Sequence, residues 1–109
     1  MTQAAVLASS RDLICEITLN RPENRNSMAP ELLQAFQTVI DQVKTDREIR
    51  CVVITGRGAS FCSGADFRSS VMQPGPGLPH ESSYNLYRPF LSILDVPVPV
   101  IAAMNGHAI

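Results

Sequence analysis

The segment Ser60 to Phe67, SFCSGADF, follows the apolar run CVVIT and carries one thiol, one carboxylate and a central glycine. Cys62 is a possible nucleophile and His80 or His107 a possible base, but the sequence places neither imidazole near the thiol, so no nucleophile–base pair is evident. Asp66 either serves the site or caps a following helical turn. Small residues at a sharp turn beside a strand end suggest instead that backbone N–H groups carry the chemistry. A second such segment, NGHAI, follows the apolar run VPVIAAM and opens with the turn signal Asn105–Gly106.

The elements that must position these segments follow from periodicity. AAVLA and LICEITLN, separated by the polar stretch SSRD, read as an antiparallel hairpin. In the second run Leu13, Cys15, Ile17 and Leu19 are expected on one face, and Glu16, Thr18 and Asn20 on the other. APELLQAFQTVIDQVKTD carries Leu32, Leu33, Phe36, Val39, Ile40 and Val43 at helical spacing, with Pro30 in the first turn and Lys44 near the end. CVVIT and VPVIAAM are short, apolar and rich in β-branched residues, as expected of parallel strands covered on both faces. MQPGPGLPH, with three prolines and two glycines, is a loop. A second helix is expected through Tyr87, Phe90, Leu91 and Leu94. The order strand, helix, strand, loop, helix, strand defines an α/β class. In open α/β sheets ligands gather outside the carboxyl ends of strands, so the two loops can line one site.

Composition excludes several functions. The 109 residues form one domain or part of one, and 45% hydrophobic with 17% charged residues suits a folded chain. A net charge of −1 offers no general attraction to nucleic acid or anionic membrane. Cys15, Cys51 and Cys62, without zinc-like spacing, read as reduced core residues, and no metal site is expected. No apolar run approaches spanning length, and MTQAAVLASSRDL has no basic segment leading into an apolar one, so a cytoplasmic location without a targeting segment is expected. GRGASF begins like a dinucleotide fingerprint, but Phe61 stands where the third small residue belongs. Neither a G-K-[ST] phosphate loop nor a G-x-S-x-G elbow is present.

Taken together, LNRPENRNSM, VVITGRGASFCSGADF and PVPVIAAMNGHAI, in this order and separation, resemble the enoyl-CoA hydratase/isomerase (crotonase) family over about residues 13–109. The resemblance implies a crotonase-like (ClpP/crotonase) fold, of which residues 1–109 are the incomplete N-terminal part of the ββα-repeat spiral core. It implies an acyl-CoA thioester substrate whose enolate-like oxyanion is stabilised by two backbone donors, the first being the N–H of Ala65. Gly64 would permit the turn, and the small side chains of Ser63 and Ala65 would leave room for the thioester. Ser63, Gly64, Ala65, Asp66, Phe67 and Arg68 would contact the CoA portion. Arg25 would lie near its phosphates, although its motif is short enough for a solvated surface charge.

Coenzyme A would be part of the substrate, so no separate cofactor is expected. The implied reaction is hydration of 2-enoyl-CoA, a lyase step in fatty-acid or related acyl-CoA metabolism, in a homo-trimer or pair of trimers. Family members continue past NGHAI into a glycine-rich turn with the second donor and then to acidic residues for proton transfer. This chain is therefore expected to be the N-terminal portion of an enzyme and inactive alone. The alternative is a truncated, non-catalytic CoA-binding or interaction module.

Overall fold

A computed structural model describes residues 3–65 and 79–109. Strands β1 (Val6–Arg11) and β2 (Ile14–Leu19) pair antiparallel from Val6 opposite Leu19 to Arg11 opposite Ile14. The connecting turn is two residues, Asp12 and Leu13, with φ of 52° and 70°. Positive φ at both turn positions gives the twist that matches right-twisted strands. The expected four-residue turn SSRD is thus corrected, because Ser9, Ser10 and Arg11 belong to the ladder. Leu13 is corrected too: it sits in the turn at 56% exposure, leaving Cys15, Ile17 and Leu19 as the buried face.

Asn20 departs from its expected outer position. It lies beyond the end of β2 and is buried; its side-chain amide donates to the Ala4 carbonyl at 2.9 Å and its backbone N–H to that of Ala5 at 2.8 Å. Its Oδ1 accepts from Arg57 at 3.0 Å, so burial leaves the amide hydrogen-bonded.

Helix α1 (Pro30–Val43) starts with Pro30, whose missing N–H would have had no partner in the first turn anyway. It buries Leu32, Leu33, Phe36, Ile40 and Val43, with Val39 partly buried, as the spacing predicts. Strand β3 (Cys51–Gly56) then runs parallel to β2, and β5 (Val100–Ala102) parallel to β3, giving the sheet order β1-β2-β3-β5. Ile17, Leu19, Val52 and Ile54 meet the α1 stripe in one core.

Among the described residues coverage on both faces is not found: β3 buries only Val52 and Ile54, and in β5 Ile101 is 52% exposed. The run VPVIAAM also shortens to three strand residues. Pro99 accepts from Val52 N–H at 2.9 Å but has no N–H to return, which limits the ladder.

Helix α2 (Pro79–Leu91) ends earlier than expected, and a 3₁₀ turn follows over Ser92–Asp95. Pro89 cannot donate along the helix, and the helix stops two residues later, with Leu94 exposed. Phe90 meets Phe36 edge to face at 4.9 Å between ring centroids, which fixes α2 against α1. Two strands were expected to be loop. Strand β4 (Ser60–Cys62) and β6 (His107–Ala108) form a separate parallel pair, with Ser60 opposite His107 and Cys62 opposite Ala108. Runs of three and two residues are too short to show a period.

Candidate functional site

The chain leaves β3 at Gly56, folds back into β4 and turns at Ser63–Gly64–Ala65. Two segments hold β4 and this turn from either side. On one, Ser63 N–H donates to the Arg25 carbonyl at 3.1 Å and Met28 N–H to the Gly64 carbonyl at 2.8 Å, with a parallel bridge between Met28 and Ala65. On the other, Ile109 N–H donates to the Cys62 carbonyl at 3.0 Å. Gly64 has φ +90°, a conformation that L side chains rarely adopt, so the turn requires glycine. Among the described residues no oxygen accepts from the N–H of Ala65, although the neighbouring strand-like groups are paired. The geometry presents one amide donor on a backbone pinned from both flanks.

An apolar cavity of about 350 Å³ adjoins this strand, lined by Leu19, Phe36, Ile54, Phe61, Cys62 and Phe90, with Ile93, Val100 and Ala102. Its chemistry suits an alkyl chain or a thioester, not an ion. Cys62 is buried, and burial pushes its thiol above the ordinary value of 9.0, with a hydrogen bond from the Gly64 backbone acting the other way. A thiol held neutral is a poor nucleophile. His80 and His107 are both exposed, and no hydrogen bond joins either to Cys62 among the described residues. Burial likewise raises the Cys15 thiol.

The structure brings Arg25, Ser63, Gly64 and Ala65 together. Arg25 has φ 52°, contributes its carbonyl to the turn and leaves its side chain exposed. Asp66, Phe67 and Arg68 lie outside the described residues. Among the described residues no group of three or more His, Cys, Asp and Glu could hold a metal ion, and no helix is long and apolar enough to cross a membrane.

Sequence reasoning missed what fixes the loop between β3 and β4. Asn26, fully buried with φ 53°, accepts from Arg21 N–H at 2.7 Å and donates to the carbonyls of Arg57 at 3.1 Å and Ser60 at 3.0 Å. Asn105 accepts from Gly56 N–H at 3.0 Å and donates to the carbonyls of Gly58 at 2.9 Å and Ser60 at 3.2 Å. Gly106 lets the two loops touch, since a Cβ there would lie 1.9 Å from the Ala59 oxygen. Asparagine is among the few residues that enter left-handed backbone readily, but nothing in the sequence alone assigns Asn26 that backbone.

A family model described as enoyl-CoA hydratase/isomerase matches residues 9–109. A Mycobacterium leprae protein named "Probable enoyl-CoA hydratase echA12" is 36% identical over 115 residues, covering 100% of this chain and 39% of that protein. Among solved structures, an enoyl-CoA hydratase from Bacillus anthracis superposes with a TM-score of 0.74 at 28% identity, covering 94% of this chain and 40% of that one. A monofunctional enoyl-CoA isomerase from M. smegmatis gives 0.72 at 31% identity, covering 95% and 42%. The α/β architecture is thus part of a crotonase fold, and the chain spans about two fifths of the length of the relatives it matches.

Proposed function

The chain belongs to the enoyl-CoA hydratase/isomerase family, and from that premise we propose that it supplies the first oxyanion donor, the N–H of Ala65, to the thioester carbonyl of a bound acyl-CoA. The observation that carries this reading is the pinned turn: Ala65 N–H has no acceptor among the described residues while Ser63, Met28 and Ile109 around it donate to backbone carbonyls. A fixed donor aimed at developing negative charge stabilises the transition state without reorganising when the charge forms. The adjoining apolar cavity supports an acyl group as the occupant.

The proposed reaction is hydration of 2-enoyl-CoA. Water oxygen bonds to C3 as one of its O–H bonds breaks and the proton passes to a base of the longer protein. The electrons of the C2–C3 double bond move through C1 to the thioester oxygen as an enolate, and C2 then takes a proton from an acid of the longer protein as the carbonyl re-forms. Ala65 holds the enolate oxygen. The second donor and the proton-transfer groups come from the longer protein, as in the family pattern, which makes the intact protein a lyase and this portion inactive alone. Arg25 and the segment from Ser63 to Arg68 bind the CoA portion, which enters as part of the substrate. We place the intact protein in the cytoplasm, where the unpaired Cys15, Cys51 and Cys62 suit a reducing compartment, and as a trimer or pair of trimers in acyl-CoA metabolism.

The test is turnover of a 2-enoyl-CoA by the intact protein, followed as loss of the absorbance of the conjugated enoyl thioester, with Ala65→Pro as the variant. Proline has no N–H, and the rate should fall by about 10²- to 10³-fold, the effect of removing one oxyanion donor. Unchanged turnover in a variant with native circular dichroism would remove Ala65 from this role.

A further inference from the structure

Two asparagines from distant parts of the sequence converge on one carbonyl. The Ser60 oxygen accepts from Asn26 Nδ2 at 3.0 Å and from Asn105 Nδ2 at 3.2 Å, so both of its lone pairs are engaged. Ser60 begins β4, whose last residue directly precedes the Ser63–Gly64–Ala65 turn. Asn26 belongs to the segment that holds one side of that turn through Arg25 and Met28, and Asn105 leads into β6, which pairs with β4 on the other side and is followed by Ile109, whose N–H donates to Cys62. Each amide also grips the chain as it leaves β3: Asn26 the Arg57 carbonyl, and Asn105 the Gly58 carbonyl and the N–H of Gly56 at the end of β3.

We infer that Asn26 and Asn105 are positioning residues for the amide of Ala65, and that Asn105 couples the loop after β5 to the loop after β3 so that both reach the reacting thioester in one register. The inference rests on the proposed role of Ala65. Asn105 does not touch the reacting atoms in this role; it acts by fixing where β4 starts. Its exposure makes it the better of the two for substitution, because Asn26 lies wholly inside and its loss strips the Arg21 N–H and the Arg57 carbonyl of their side-chain partner.

The test uses the intact protein with acetoacetyl-CoA, a 3-ketoacyl thioester whose enolate has its own ultraviolet band, so the fraction enolised at saturation reads the donor geometry directly. Asn105→Ala removes all three bonds, and Asn105→Asp keeps the acceptor for Gly56 N–H while losing both donors. Val43→Ala, at the far end of α1, serves as a control for lowered stability. Both Asn105 variants should still bind the ligand, show a reduced enolate band and lose about ten- to a hundred-fold in kcat on a 2-enoyl-CoA, the scale of displacing a reacting group by up to an ångström. Asn105→Asp carries the comparison if Asn105→Ala does not fold.

A full enolate band in Asn105→Asp overturns the inference and leaves Ala65 in place. So does an equal loss of the band in Val43→Ala at matched Tm, which would make the effect one of stability. Wild-type protein that binds the ligand without any enolate band overturns the reading of Ala65 and this inference with it.

Discussion

Gly64 concentrates the residue-scale argument, because its φ of +90° sets the turn that carries the Ala65 amide. An alanine Cβ there would meet Ile109 only at ordinary contact distance, 3.5 Å, so the penalty of Gly64→Ala is a backbone one. Denaturant unfolding should show a loss of about 1–3 kcal/mol, the cost of holding an L residue in such a region, with a fall in turnover as the turn relaxes. Unchanged stability would mean that the turn has another conformation. At Cys62 the thiol is raised by burial, so the folded state keeps the proton that the unfolded state releases. Stability from this group is fully present below the ordinary thiol pKa of 9.0 and is lost as pH rises from there through the folded value. Replacing Cys62 by Val should flatten the alkaline side of a Tm-against-pH curve, and an unchanged slope would contradict the assignment.

At the scale of elements, the hairpin offers a stabilising change. Leu13 occupies a left-handed turn position with its side chain 56% exposed, so it bears backbone strain with little burial in return. Leu13→Gly should raise stability by up to about 1 kcal/mol, read as a shift in the urea midpoint at constant slope. Phe36→Ala should cost about 3–5 kcal/mol, since Phe36 is 1% exposed and also holds Phe90. Elements of this kind differ in how far their sequence declares them. Helix α1 shows a full apolar stripe and β3 a compact β-branched run, and both formed where their patterns placed them. The pair β4–β6 was illegible because five residues contain no period, and its existence depends on contacts between segments 47 residues apart. Asn26 and Asn105 were hidden for the same reason: an asparagine in sequence looks like a turn residue until its distant carbonyls are known. The small residues of SFCSGADF pointed to a turn by themselves, as the φ of Gly64 bears out, and the family motif singled out Ala65 within it.

At the scale of the whole molecule, among the described residues one face of the sheet and the β5 edge meet solvent. Ile101, Met104 and Ile109 are 52%, 59% and 92% exposed, and β5 is an outer strand of the four-stranded sheet. Open edges with apolar side chains template further pairing. The 109-residue polypeptide on its own should therefore self-associate, seen as early elution and strong scattering in size-exclusion chromatography, whereas the intact protein should elute as a discrete species. A monodisperse monomer from the isolated polypeptide would show that these surfaces are tolerated in water. The central claim is that one backbone amide polarises a thioester carbonyl. Its most direct test is the isotope-edited infrared stretch of a ¹³C-labelled acyl-CoA carbonyl bound to the intact protein, compared with a semisynthetic form in which the Ala65 amide is replaced by an ester. The account predicts a stretch lowered on binding to the natural protein and moved back toward the free value by the ester. A bound carbonyl at the same frequency in both forms would contradict it.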